Sequence, residues 1–186
     1  MEIGFAMCGS FCTFDQVFPI MKLLREQHSV TPIFSEVVMR TDSRFGTAAE
    51  HWKQATEICG KEPLHTIAQV EPIGPRKLLD ALIIAPCTGN TLAKLAHSIA
   101  DGPVTMAAKS HLRNGRPVLI AISTNDALAG AAENIGKLLA RKHYYFVPFG
   151  QDDAVQKPCS LMADFGKLAE TVDFALRGEQ IQPILR

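Results

Sequence analysis

Between residues 82 and 96 the chain reads LIIAPCTGNTLAKLA. An apolar run passes through Pro86 into Cys87, Thr88, Gly89, Asn90 and Thr91, and then into an apolar pattern of helical spacing. Similar polar groups follow other apolar runs: Gly9 and Ser10, then Ser35, then Ser123, Thr124 and Asn125. Free N–H groups at a helix start attract anions, and Ser or Thr hydroxyls add donors. Gly9 allows a phosphate close to the backbone. Asn90 and Asn125 each donate and accept, as the edge of a heterocycle requires. Together these residues can hold a phosphorylated, planar cofactor. Each one alone also serves as an ordinary helix cap, and the stretches are neither G-x-G-x-x-G nor a Walker loop. Cys87, at a helix start, is a candidate thiolate nucleophile, because that position lowers a thiol pKa. The competing reading is a small buried hydrophobe packed beside the ligand.

The elements that must position these residues alternate along the chain. Apolar runs of strand length are expected at 2–7, 30–35, 80–86, 117–123 and 144–149, with a weaker one at 64–70. Helical spacing is expected over 14–28, 45–59, 91–99, 104–113, 126–142 and 160–177, with 114–117 as a turn. In the first of these helices, Phe14, Val17, Phe18, Met21 and Leu24 share a face; over 126–142, Leu128, Ala132, Ile135 and Leu138 or Leu139 point inward. Continuous apolar strands between helices imply a parallel sheet covered on both faces. The expected fold is a three-layer doubly wound α/β domain, Rossmann-like or flavodoxin-like, spanning 1–186 as one unit. In such sheets ligands lie beyond the carboxyl ends of the strands.

Composition narrows the class. Nineteen Lys and Arg balance nineteen Asp and Glu, so no general pull towards nucleic acid or an acidic membrane exists. Hydrophobic residues at 47% fit a globular core. No apolar stretch approaches the ~18 residues of a membrane span, and the N-terminus reads as a strand and not as a signal peptide. Five cysteines without a Cys-x-x-Cys pair read as reduced thiols in a cytoplasmic protein and give no zinc spacing.

Gly9-Ser10 after the first strand, with APCTGNTLAKLAHSIAD from Ala85 to Asp101, resembles the flavin-containing cysteine decarboxylase superfamily. Within it, EPIGPRKLLDALIIAPCTGNTLAKLA, HLRNGRPVLIAISTNDAL, YYFVPFGQDD and IQPILR resemble the B-subunit group of the dipicolinate synthases, over nearly the whole chain. The resemblance implies FMN as cofactor, with Gly9, Ser10 and Ser35 near its phosphate. Pro86, Cys87, Thr88, Gly89, Asn90 and Thr91 would lie along the flavin and Ser123, Thr124 and Asn125 beside the ring. It further implies one component of an oxidoreductase in the mother-cell cytoplasm of a sporulating bacterium. That component would act with the dipicolinate synthase A subunit, which carries NAD(P), to oxidise a dihydrodipicolinate-level precursor to dipicolinate, and would form homo-oligomers.

Two departures from the superfamily pattern matter. Pro72 stands where the decarboxylases carry their catalytic histidine, His65 being out of register, and after the fifth strand only Asn125 remains of Pro-Ala-Met-Asn. An FMN-dependent cysteine decarboxylase is therefore the lesser alternative, and a non-catalytic flavin-fold scaffold for the A subunit is another. The catalytic base is unknown. A dianionic substrate needs cations, and Lys109, His111 and Arg113, with Arg116, are candidates to meet its carboxylates; a solvated helix face or a contact between protomers is the competing reading. Arg40, Asp42 and Arg44 occupy a long connection of the kind that forms lids or contacts. His51, His97 and His143 read as helix-surface or helix-end residues, and Phe18, Met106 and Leu112 as core.

Overall fold

Alternation of side chains along the strands builds two cores, one on each face of a seven-stranded sheet. The computed structural model describes residues 1–186. Strand β1 (Glu2–Met7) is followed by α1 (Phe14–Gln27), β2 (Ser29–Phe34), α2 (Glu36–Arg40), α3 (Ala48–Cys59) and α4 (Ile67–Val70). Next come β3 (Ala81–Cys87), α5 (Gly89–Ala96), α6 (Pro103–Leu112), β4 (Val118–Thr124) and α7 (Ala132–Leu139). The chain ends with β5 (Tyr144–Phe146), β6 (Phe149–Gly150), β7 (Leu161–Ala163) and α8 (Leu168–Leu176). Every residue of β3 is buried: Ala81, Ile83 and Ala85 face the core formed with α1, α3 and α8, whereas Leu82, Ile84 and Cys87 face the core formed with α5, α6 and α7. On α1 the expected face of Phe14, Val17, Phe18, Met21 and Leu24 is the buried one.

The expected three-layer α/β fold is present, with parallel strands in the order β2-β1-β3-β4-β5. The sheet is mixed, however. The outer edge of β4 is shared: β5 pairs parallel with Val118–Ile120, and β7 pairs antiparallel with Ser123 and Thr124. Strand β6 extends β7, also antiparallel. Pro148 has no N–H to donate, and it separates β5 from β6 within the run expected as one strand.

Other differences have equally local causes. At 64–70 only Leu64 bridges β2, and α4 replaces the expected strand. The reason is a capping box: Thr66 Oγ1 accepts from Gln69 N–H, and Gln69 Oε1 accepts from Thr66 N–H at 3.0 Å. The expected helix at 160–177 begins as β7, and α8 starts only after a turn in which Asp164 accepts from Gly166 N–H. The expected helix at 126–142 is reduced to α7. Ile135 and Leu138 point inward as expected, whereas Leu128, Ala132 and Leu139 are exposed.

Candidate functional site

The chain leaves β1 towards β2 on one side and returns to β3 on the other. The loops after β1 and β3 therefore diverge at the carboxyl edge and open a crevice. At the end of β1, Cys8 N–H donates to Pro86 O at 3.3 Å, which ties the two loops at their root. The chain then turns through Gly9 and Ser10 into a single 3-10 turn at Phe11–Thr13. The N–H groups of Gly9, Phe11 and Cys12 take no acceptor within the chain. After β3, Thr88 caps α5: its Oγ1 accepts from Thr91 N–H at 3.4 Å and its carbonyl from Leu92 N–H at 2.9 Å. The N–H groups of Gly89 and Asn90 stay free. Ser35 caps α2 by accepting from Val38 N–H. The third loop is fastened to the first, because the hydroxyls of Ser10 and Ser123 are 2.7 Å apart.

Two hollows meet on this edge, and Gly9 and Thr88 line both. One, of about 350 Å³, is walled by Ser35, Val37, Asn90, Thr91 and the start of α6 from Gly102. The other, of about 500 Å³, is walled by Ser10, Cys12, Ser123, Thr124, Asn125 and Asp126, and closed by Asp152, Lys157 and Ser160. Their combined shape suits an elongated ligand with an anionic end held by backbone N–H groups and a polar planar end held by side-chain amides and hydroxyls. Gly9 is required by packing as well: a Cβ there would lie 2.8 Å from Val37 Cγ1. Of the twelve residues expected to hold a cofactor, Gly9, Ser10, Ser35, Thr88, Asn90, Thr91, Ser123, Thr124 and Asn125 line the hollows.

Pro86, Cys87 and Gly89 do not line them. Cys87 points into the core and is fully buried, and burial pushes its thiol well above the ordinary value. Cys8 is also buried and pushed up to about 11, although Thr91 Oγ1 donates to its sulfur at 3.3 Å. Burial in the core thus opposes a thiolate at Cys87 and fits the reading of a small buried hydrophobe. Gly89 is a spacer: a Cβ would come 2.7 Å from Asp126 Oδ1 and 2.9 Å from Thr124 Oγ1.

The cationic candidates lie elsewhere. His111 is fully buried and donates from Nε2 to Pro117 O at 3.1 Å, while its Nδ1 has no partner. Burial lowers its pKa to about 4, so it is a neutral core residue and offers nothing to a carboxylate. Arg116 is engaged with Leu79 O, Lys77 O and Asp80 at the amino edge of β3. Strands of six to seven residues separate that edge from the crevice by roughly 20 Å. Lys109 and Arg113 line a third hollow between α5, α6 and the 141–144 segment. Pro72 and His65 border neither crevice hollow. His51, expected on a helix surface, is buried against Phe11, Phe14 and Phe18, where desolvation lowers its pKa. Asp42 caps α3 by accepting from Ala48 N–H, and Arg44 lies over the Phe45 ring.

Sequence reasoning missed the segment that closes the larger hollow. Asp152 pairs with Lys157 at 3.0 Å. Burial pushes its carboxyl up, but hydrogen bonds from Ser160 and Lys157 outweigh that and leave it below the ordinary value. Ser160 Oγ also lies 3.5 Å from Asn125 Oδ1. The signal for this closure was the antiparallel pairing of β7, which periodicity alone does not show. Lys94 and Asp101, paired at 2.9 Å beside the smaller hollow, were legible only through the Ala100-Asp101 motif.

The family model described as "Flavoprotein" matches residues 1–173. The B subunit of dipicolinate synthase from Bacillus subtilis (strain 168) is 45% identical over 185 residues, covering 99% of this chain and 92% of the relative. The crystal structure of the B subunit of dipicolinate synthase from Bacillus halodurans C superposes with a TM-score of 0.91 at 44% identity, over 100% of this chain and 95% of that one. The FMN-dependent cysteine decarboxylase SpaF shares the fold, with a TM-score of 0.72 at 21% identity over 95% of each chain.

Proposed function

The chain belongs to the flavoprotein family, and on that premise we propose that it binds FMN in the carboxyl-edge crevice and serves as the B subunit of a dipicolinate synthase. The observation that carries the reading is the joined pair of hollows, with free backbone N–H groups at Gly9, which lines both, at Cys12 in the larger and at Asn90 in the smaller. Those N–H groups and the hydroxyls of Ser10, Ser35 and Thr88 fit a phosphate, and Asn90, Asn125 and Thr124 fit a heteroaromatic edge. When bound, FMN supplies a two-electron acceptor. The chain's own residues position: the Ser10–Ser123 contact fixes the floor, and the Asp152–Lys157 pair and Ser160 limit water at the ring end. The substrate in this reading is a dihydrodipicolinate-level dicarboxylate that loses two electrons to become aromatic, with an NAD(P)-binding A subunit as partner.

The test is FMN retention. Purified chain passed over a desalting column after incubation with excess FMN should emerge with the visible flavin absorption band. Ser10→Glu should lose it, because a carboxylate would then face the phosphate across a site built for anions. Unchanged FMN affinity in Ser10→Glu would remove this placement. A cysteine decarboxylase reading has less support, since Pro72 replaces an acid–base group and the crevice holds no histidine.

A further inference from the structure

Lys109 and Arg113 are one turn apart on the exposed side of α6. Together with Arg141, Lys142 and His143 they line one hollow of about 570 Å³. No carboxylate lines it. Among the nine ion pairs of the molecule none uses Lys109, Arg113, Arg141 or Lys142. In a chain whose charges balance overall, four unneutralised cations around one concavity create a local positive field. The hollow also has an apolar body formed by Leu95, Ile99, Leu112 and Tyr144. Arg141 is fixed in place: Nη1 donates to Leu95 O at 3.0 Å and Nη2 to Ala96 O at 2.7 Å. Those bonds cap the carbonyl end of α5, which would otherwise repel an anion, and they hold the guanidinium ready without a conformational search.

We propose that this hollow is a second binding site, taking a compact organic dianion with a flat apolar body, of the class of an aromatic dicarboxylate. One carboxylate would meet Lys109 and Arg113, the other Arg141 and Lys142, with the body against Leu112 and Tyr144. The volume matches a small molecule, and cations from two separate segments line one concavity, which an extended acidic surface would not need. The hollow shares only Thr105 with the crevice and does not depend on the FMN reading.

Titration calorimetry with benzene-1,3-dicarboxylate tests it on the full chain, the Ser10→Glu variant, Lys109→Gln/Arg113→Gln and Lys142→Gln. Saturable one-to-one binding is expected in the first two. Each cation removed should weaken it by about tenfold, and benzoate should bind about tenfold more weakly than the dicarboxylate. Thermal midpoints report folding, and Lys142→Gln, at an exposed side chain, keeps the test valid if the double variant unfolds. Absence of saturable binding, unchanged affinity in folded glutamine variants, or loss of binding in Ser10→Glu would each overturn the proposal. Retention of an acidic protein without the dicarboxylate would overturn it too. FMN titration of the same variants reads the crevice separately.

Discussion

Gly89 and His111 show how a residue type can mislead when its surroundings are unknown. Gly89 reads as a residue along the flavin, yet its lack of a Cβ makes room for Thr124 and Asp126, whose side chains are joined by a 2.5 Å hydrogen bond. Gly89→Ala should therefore raise helix propensity by roughly 1 kcal/mol, offset by displacement of Asp126. A thermal midpoint close to the parent's with weakened FMN binding is the expected result. Equal FMN affinity would show that Thr124 and Asp126 do not shape the ring end. His111 reads as a candidate to meet a substrate carboxylate, and burial makes it a neutral core group with pKa about 4. Its folded value lies below the unfolded one of 6.5, so the unfolded chain binds the extra proton first. This stability is complete above pH ~6.5 and is lost progressively as pH falls towards 4, to a total of about 3 kcal/mol. Urea unfolding of His111→Phe, which gives up the Pro117 bond, should show a lower plateau and a flatter acid limb than the parent. An identical pH slope would mean that another group governs the acid limb.

At the scale of elements, what was legible depended on whether a pattern was decided by neighbours in sequence or by neighbours in space. β3 and α1 were read correctly because burial on two faces, or on one helical face, prints its period directly on the residues. The loops at Gly9, Thr88 and Ser123 were legible for the same reason: they begin where an apolar strand stops. β7 was not, because Leu161–Ala163 becomes a strand only by meeting Ser123 and Thr124, more than thirty residues earlier. The closure of the larger hollow by Asp152, Lys157 and Ser160 followed it out of view. Arg141 and Lys142 were likewise missed as partners of Lys109 and Arg113, since only the fold brings the two segments together. Capping chemistry is local, and there the expectations can be sharp. On α3, Thr47 accepts from Glu50 N–H at 3.2 Å while Glu50 Oε2 accepts from Thr47 N–H at 2.7 Å. Thr47→Ala should cost about 1 kcal/mol in urea unfolding without change in FMN binding. A loss below a few tenths would show that the box is not needed once α3 has packed.

On the scale of the whole molecule, the charges of the crevice argue for a second chain. Aromatising a dihydropyridine dicarboxylate needs an electron acceptor, a group to take a proton, and cations for two carboxylates. The crevice has no histidine and no arginine. Its lysines are both committed: Lys94 lies 2.9 Å from Asp101, and Lys157 lies 3.0 Å from Asp152. Lys109, Arg113, Arg141 and Lys142, which are in no ion pair, line neither crevice hollow and so do not clamp a substrate whose ring meets the crevice. A partner such as the A subunit, bearing its own NAD(P), would supply the missing clamps. The isolated chain should thus make no dipicolinate, and mixing it with that partner should restore turnover. Size-exclusion chromatography with light scattering should show a homo-oligomer alone and a larger complex in the mixture. Lys157→Glu, which places two acids at the Asp152 end of the crevice, should reduce turnover of the mixture about tenfold or more, with a small fall in the thermal midpoint because Lys157 is half exposed. Turnover by the isolated chain equal to that of the mixture would defeat the two-component reading. Unchanged turnover in Lys157→Glu would move the substrate away from this end of the crevice.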